Sequence, residues 1–429
     1  MRRHHPDKSA LREYRAKTLA YLKDSLLPFW LERSPDPSHG GFLSYFDANG
    51  RPTGETVKTF LMQIRMLYTM SSAHRSGYGD GRCAELARFG ARFILDHYWD
   101  EPCGGWIWIA DRSGRPLVMD KVGYGQCFAM YAFSEYYLAT GDREGLDAAD
   151  QTWEVITNQM ADHERGGYFE LLERDWTPKP AGRSGGDRKS LDVHMHMMEA
   201  LTTYWEASRS PAIREALLAT IDLLRTKMLD PKTGTGWMQF SLDFDPLPAI
   251  IFDTHWGRDA DPADGVARPI DTTSYGHNVE LAWLLLHAFD RLGLREEDAL
   301  KVVEPIFEHC VEYGIDWESG GVFVDGPMDG QPQTFEKQFW QQAEVLVGLL
   351  DAYRLTREPV YWAAFENVYE FVFTKFVVPQ VGEWYERVDR AGSPIDNALG
   401  HAWKISYHTV RSMIQTVDRL DRLLEAPTG

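Results

Sequence analysis

Cysteine is scarce: four in 429 residues (Cys83, Cys103, Cys127, Cys310), none in a C-x-x-C pair. Neither a disulfide framework nor a thiolate zinc site is expected, and the thiols read as reduced. No run reaches the roughly 18 consecutive apolar residues that a membrane span needs. The opening MRRHHPDKSALREYRAKTLAYLKDSLLPFW is charged throughout and holds no apolar signal core. Positive charge is in deficit too: 45 Lys and Arg against 64 Asp and Glu leave a net charge of −19. That balance argues against a surface that neutralises nucleic-acid or lipid phosphates. There is no Walker loop and no Gly-x-Ser-x-Gly elbow. A cytoplasmic protein with a small-molecule partner is expected, binding neither nucleic acid nor membrane.

What the chain does have is a period. Six glycine-aromatic turns with alternating patterning begin at Gly40, Gly104, Gly166, Gly236, Gly320 and Gly382, 62–70 residues apart except for one gap of 84. Runs that are apolar nearly all round follow each turn, among them KTFLMQIRMLYTM and KQFWQQAEVLVGLL. Runs with a polar stripe precede each turn. Six inner and six outer helices in alternation predict an all-α fold, an (α/α)6 barrel of six helix pairs with short β-hairpins at one end. The alternative is a solenoid with two free ends. The chain 1–429 reads as one catalytic domain, with a loop insertion at about 245–272, rich in Pro, Gly and Asp and expected to cover the funnel.

Aligning the inner helices on Lys58, Lys121, Lys189, Thr273, Lys337 and Lys404 exposes a second regularity. Offsets of three, four and seven share one helix face, and on it stand Tyr124, Asp192, Trp340, Tyr407, His277, His408, Arg65, His196, Glu280, Glu344 and Arg411. Core packing would select Leu, Ile and Val there. A polar cluster at one end of an apolar barrel is the default active-site hypothesis. Trp340 and Trp403 read either as a sugar-stacking platform or as core aromatics. The recurrent lysines read as caps of the hairpin junctions. His194 and His196 form a His-x-His pair, but on a helix they lie ~200° apart and cannot bind one ion together.

The stretches KTFLMQIRMLYTM, KSLDVHMHMMEA, SYGHNVELAWLLL, KQFWQQAEVLVGLL and AWKISYHTVR resemble the N-acylglucosamine 2-epimerase family, and within it the cellobiose 2-epimerase branch. The chain departs from the family at Asp192, often Asn there; at Phe339, often Trp; and in the ISYHT run before Val410. The resemblance implies an (α/α)6 barrel that interconverts free sugars at C1–C2, with no metal and no cofactor. It assigns His277 and His408 as the acid–base pair on opposite faces of an enediolate, a task suited to a group of reference pKa ~6.5. Arg65 and His196, with Arg411, are then candidate donors to the developing oxyanion. Glu280 and Glu344 would orient rings or hold charge, while Trp340, Trp403, Tyr124, Asp192, Glu344, Arg411 and Tyr407 would touch substrate. Three other readings stand beside this 2-epimerase: an aldose–ketose isomerase, an inverting glycoside hydrolase built on Glu280 and Glu344, and a non-catalytic sugar-binding protein.

Overall fold

The computed structural model describes residues 5–252 and 267–426. Its inner helices are α3 (Phe60–Arg75), α5 (Gly123–Thr140), α7 (Leu191–Ser208), α9 (Tyr275–Leu292), α11 (Phe339–Thr356) and α13 (Ser406–Glu425). They are buried on almost every face; in α3 every residue from Phe60 to Ala73 is buried. Each packs on the next in order, and α13 packs on α3, which closes the ring and rules out a solenoid with free ends. Outside lie α4 (Arg82–His97), α6 (Arg143–Val155), α8 (Pro211–Leu223), α10 (Glu296–His309) and α12 (Pro359–Phe371), each against the inner helix before it. The sixth outer position is taken by α1 (Lys8–Tyr21), which packs on α13 and continues through a π-turn into α2 (Leu27–Arg33). The fold is therefore the expected (α/α)6 barrel. No helix among the described residues is long and apolar enough to cross a membrane, and all four cysteines are free.

Inner and outer helices are joined by tight turns. Gly141 (φ 73°), Arg209 (φ 53°), Gly293 (φ 67°) and Arg357 (φ 60°) each end an inner helix in the left-handed region. At the other end, the strand entering each of the first five inner helices pairs antiparallel with the hairpin of the next repeat. Lys58–Thr59 joins Ile109–Ala110, Arg188–Ser190 joins Gln239–Ser241, and Lys337–Gln338 joins Arg387–Val388. A bridge between Phe46 and Gly400 closes the hairpin ring at the same seam as the helices. Residues 253–266 of the expected insertion, and so the cover it was expected to form, lie outside the described residues.

The recurrent lysines are fully buried caps of the hairpin junctions. The Lys58 ammonium donates to Asp36 (3.1 Å) and to the carbonyls of Gly40 (2.6 Å) and Arg112 (2.8 Å). Lys121–Asp100 (2.9 Å), Lys189–Asp162 (2.9 Å), Lys337–Asp316 (3.0 Å) and Lys404–Glu383 (3.3 Å) repeat the pair. In the fourth repeat Thr273 replaces the lysine and donates to the Gly236 carbonyl (2.7 Å). The glycine equivalent to Gly40 there is Gly234, whose N–H bonds Asp230 as that of Gly40 bonds Asp36.

Candidate active site

The inner-helix N-termini converge at the hairpin end and carry the aligned positions in two levels. Hydroxyl caps set the first turns: Ser190 accepts the Val193 N–H (3.2 Å) and Ser274 that of His277 (3.4 Å). On the upper level Asp192 and His277 reach solvent, their side chains 36% and 24% exposed, and Trp340 and Trp403 are half-buried. On the lower level, offset seven, Arg65, His196, Glu280, Glu344 and Arg411 are buried to 3% exposure or less. Tyr407 is fully buried beside them.

His277 and His408 both lie against Trp340, at ring-centroid distances of 4.5 and 5.6 Å. His408 Nδ1 donates to Glu344 (2.6 Å), so among the described residues Nε2 is its free ring nitrogen. Burial holds the His408 pKa down at about 3 despite that carboxylate. Burial also lowers His277, against the pull of Asp192, whose carboxylate lies 3.6 Å from His277 Nε2. The opposite holds for His196. Burial opposes its charge, yet Asp192 at 3.3 Å and Glu199 at 2.7 Å raise it to about 10, so it is an imidazolium at neutral pH. Tyr124 links the histidine to the arginine: its hydroxyl lies 3.2 Å from His196 Nε2 and accepts from Arg65 Nη2 at 2.6 Å. Arg65 Nη1 donates to the Trp403 carbonyl (3.2 Å), while its Nε has no hydrogen-bond partner among the described residues.

Beneath this layer Arg411 ties three helices together. Its guanidinium bonds Glu199 of α7, Glu280 of α9 and Glu344 of α11, and it also reaches the Tyr407 hydroxyl. Burial disfavours the Glu344 charge, but Arg411 and His408 outweigh it and hold the pKa at about 2. Glu280 is pushed up to about 8 by burial and by the Glu344 charge beside it. Oxygens of Glu280 and Glu344 and a His408 nitrogen lie within 4.8 Å of one another. A cation already occupies that cluster, because Arg411 Nη2 bonds Glu280 and sits 2.8 Å from Glu344. The donor set thus fits a guanidinium rather than a metal. His194 faces elsewhere: its Nδ1 donates to the Ser190 carbonyl (2.8 Å) and its Nε2 accepts the Tyr168 N–H (3.1 Å), which staples a hairpin.

Glu199 is the member absent from the sequence-derived set. It stands at offset ten, one turn beyond offset seven. The same offset on other inner helices carries Trp283, which donates to Glu344 (3.0 Å), and the stacked pair Tyr68 and Tyr131. Extending the register by one turn would have found all four.

The profile of the N-acylglucosamine 2-epimerase (GlcNAc 2-epimerase) family matches residues 40–412. The chain belongs to that family. Cellobiose 2-epimerase from Bacteroides fragilis is 27% identical over 407 residues, covering 92% of this chain and 96% of the relative. The structure of cellobiose 2-epimerase from Spirochaeta thermophila superposes with a TM-score of 0.84 at 30% identity, covering 97% and 99% of the two chains. D-mannose isomerase from Marinomonas mediterranea is 22% identical, covering 92% of this chain and 95% of the relative. This member of the epimerase family is accordingly an isomerase-class enzyme.

Proposed function

We propose that the chain is a carbohydrate 2-epimerase that inverts C2 of a free reducing-end aldose of the glucose/mannose type, as a monosaccharide or a β-1,4-linked disaccharide. The carrying observation is the pair of imidazoles from α9 and α13 against one indole, Trp340, each beside its own carboxylate. One neutral imidazole removes the C2 proton of the open-chain aldehyde, and the C–H electrons form the C1–C2 double bond while O1 takes up negative charge. The other, as imidazolium, returns a proton to the opposite face of C2 as the carbonyl re-forms. Asp192 favours the imidazolium of His277, while His408 presents Nε2 as the base. Charged His196 and the Arg65 guanidinium supply donors for the oxyanion, a role worth ~3–4 kcal/mol per well-placed donor. Arg411, Glu199, Glu280, Glu344 and Tyr407 hold those groups in register from below.

The relatives named for cellobiose support the disaccharide, and the relative named D-mannose isomerase supports the alternative outcome, in which the proton is delivered to C1. An inverting hydrolase fits less well. It requires carboxylates roughly 6.5–9.5 Å apart with water between them, whereas Glu280 and Glu344 share one Arg411 nitrogen.

The test is incubation in D2O with EDTA and, separately, mannose, glucose, fructose, N-acetylmannosamine and cellobiose. One substrate should yield its C2 epimer with deuterium at C2, and His277→Ala and His408→Ala should each cut kcat by ~10²-fold or more. Fructose formed from mannose would select the isomerase; loss of turnover on chelation would overturn the metal-free mechanism.

A further inference from the structure

One hairpin position recurs around the barrel, two residues after the first bridge of each hairpin: Ser44, Trp108, Glu170, Met238, Val324 and Glu386. At four of these the backbone carbonyl accepts the first N–H of an inner helix: Trp108 from Phe60 (2.8 Å), Glu170 from Gly123 (2.7 Å), Met238 from Leu191 (3.2 Å) and Glu386 from Phe339 (3.1 Å). The position is therefore pinned over the helix N-termini, where the acid–base groups stand. Trp108 marks where such a side chain goes. Its ring lies 6.1 Å from that of Trp403 and covers Gly125, the α5 counterpart of His277, so closely that an added Cβ would come within 2.9 Å.

Two repeats on opposite sides of the ring, the third and the sixth, place a carboxyl at this position. Glu170 and Glu386 are 7% and 8% exposed; among the described residues Oε2 of Glu170 has no hydrogen-bond partner, and that of Glu386 has an ion-pair contact with His401 at 3.4 Å. A buried oxygen left unpaired costs roughly 1–3 kcal/mol, a cost that a ligand hydroxyl at Glu170 would remove. Glu386 also stands between the two site tryptophans. Its Oε1 accepts from Gln338 (3.3 Å), whose own oxygen accepts the Trp340 indole N–H (3.1 Å). Its Oε2 lies 3.4 Å from His401, whose Nδ1 accepts the Trp403 backbone N–H (3.1 Å).

We propose that Glu170 and Glu386 form a hydroxyl-binding tier above the acid–base groups, recognising the hydroxyls of the sugar chain away from C1 and C2. The inference rests on the carbohydrate reading above and adds the groups that read the rest of the molecule. The two carboxyls are complementary. Burial and the Asp192 charge push Glu170 up to about 8, so at neutral pH it donates a proton to a sugar oxygen. Burial opposes the charge on Glu386, but His401 and Lys404 keep it ionised, an acceptor for sugar O–H groups.

The experiment compares Glu170→Ala, Glu386→Ala and the corresponding Gln variants with wild type. Each is assayed on the best aldose and on its 3-, 4- and 6-deoxy analogues, and binding of sorbitol is followed by tryptophan fluorescence. The Ala variants should raise KM and weaken sorbitol binding by about tenfold, with kcat within about threefold and partial recovery in the Gln variants. At least one deoxy analogue should be handled alike by wild type and variant, which identifies the hydroxyl read. Unchanged KM and sorbitol binding overturn the proposal. So does a loss confined to kcat and equal for every analogue, or a wild type that does not bind sorbitol. Wild type that binds sorbitol but turns over no aldose overturns the epimerase reading alone, because the sorbitol titration still reports on the two carboxyls.

Discussion

Asp192 stands between two histidines of opposite character, 3.3 Å from a charged His196 and 3.6 Å from a His277 kept largely neutral by burial. Its carboxylate favours the proton on both rings. Removing that charge with Asp192→Asn lowers both pKa values, so each ring loses its proton at a lower pH than in wild type. The limb of the kcat/KM profile that reports deprotonation of His277 should move to lower pH by about one unit. A pH–rate series on the two proteins checks this, and an unmoved limb would detach Asp192 from the acid–base work. His196 belongs to the same balance through stability. With its folded pKa raised to about 10, it contributes fully below the unfolded value near 6.5, and the contribution drains away as pH rises towards 10. A His196→Gln variant should lack that slope in urea midpoints measured between pH 6.5 and 10. The residue types at offsets three, four and seven were legible because a helix face repeats in one dimension. Their charge states were not, because Arg411 acquires its meaning from carboxylates on α7, α9 and α11, whose distances no single-helix pattern encodes.

The junction between hairpin and inner helix is the element that repeats most faithfully. In five of six repeats a buried lysine meets a buried carboxylate, with hairpin carbonyls taking its remaining protons. Breaking such a pair strands the partner charge. Lys121→Met leaves Asp100, among the described residues, with only the partly exposed Arg174 as a cationic partner, and unfolding in urea should show a loss of about 3 kcal/mol. Retained stability would mean that Arg174 alone neutralises the aspartate. The lysines were visible in sequence as a register mark. Their partners were not, although an Asp precedes the first turn glycine by four residues at Asp36, Asp100, Asp162, Asp230 and Asp316. Pairing spans 21 to 27 residues and depends on the hairpin folding back. The cross-repeat strand pairing was hidden for the same reason: each turn reads locally as a self-contained hairpin, whereas its outer edge bonds the neighbouring repeat.

At the scale of the whole molecule, a period of 62–70 residues and the absence of a capping repeat pointed to closure, and α13 against α3 provides it. A net charge of −19 adds self-repulsion that the one-to-one buried lysine–carboxylate pairs do not relieve. Raising ionic strength from about 0.01 to 0.15 M shortens the Debye length from ~30 to ~8 Å, and the unfolding temperature should rise by about 1 °C, the equivalent of ~1 kcal/mol. Scanning calorimetry across that salt range checks it; a fall would mean that attractive surface pairs outweigh the net repulsion. The closing helix carries a further consequence. During translation α13 is the last of the described elements to leave the ribosome, and it brings His408 and Arg411 with it. Until then Glu199, Glu280 and Glu344 face one another without their shared cation, and five-sixths of a ring holds only half of the proposed acid–base pair. On that proposal chemistry begins with the final helix, so a chain unfinished or clipped before α13 should be silent towards the sugars around it.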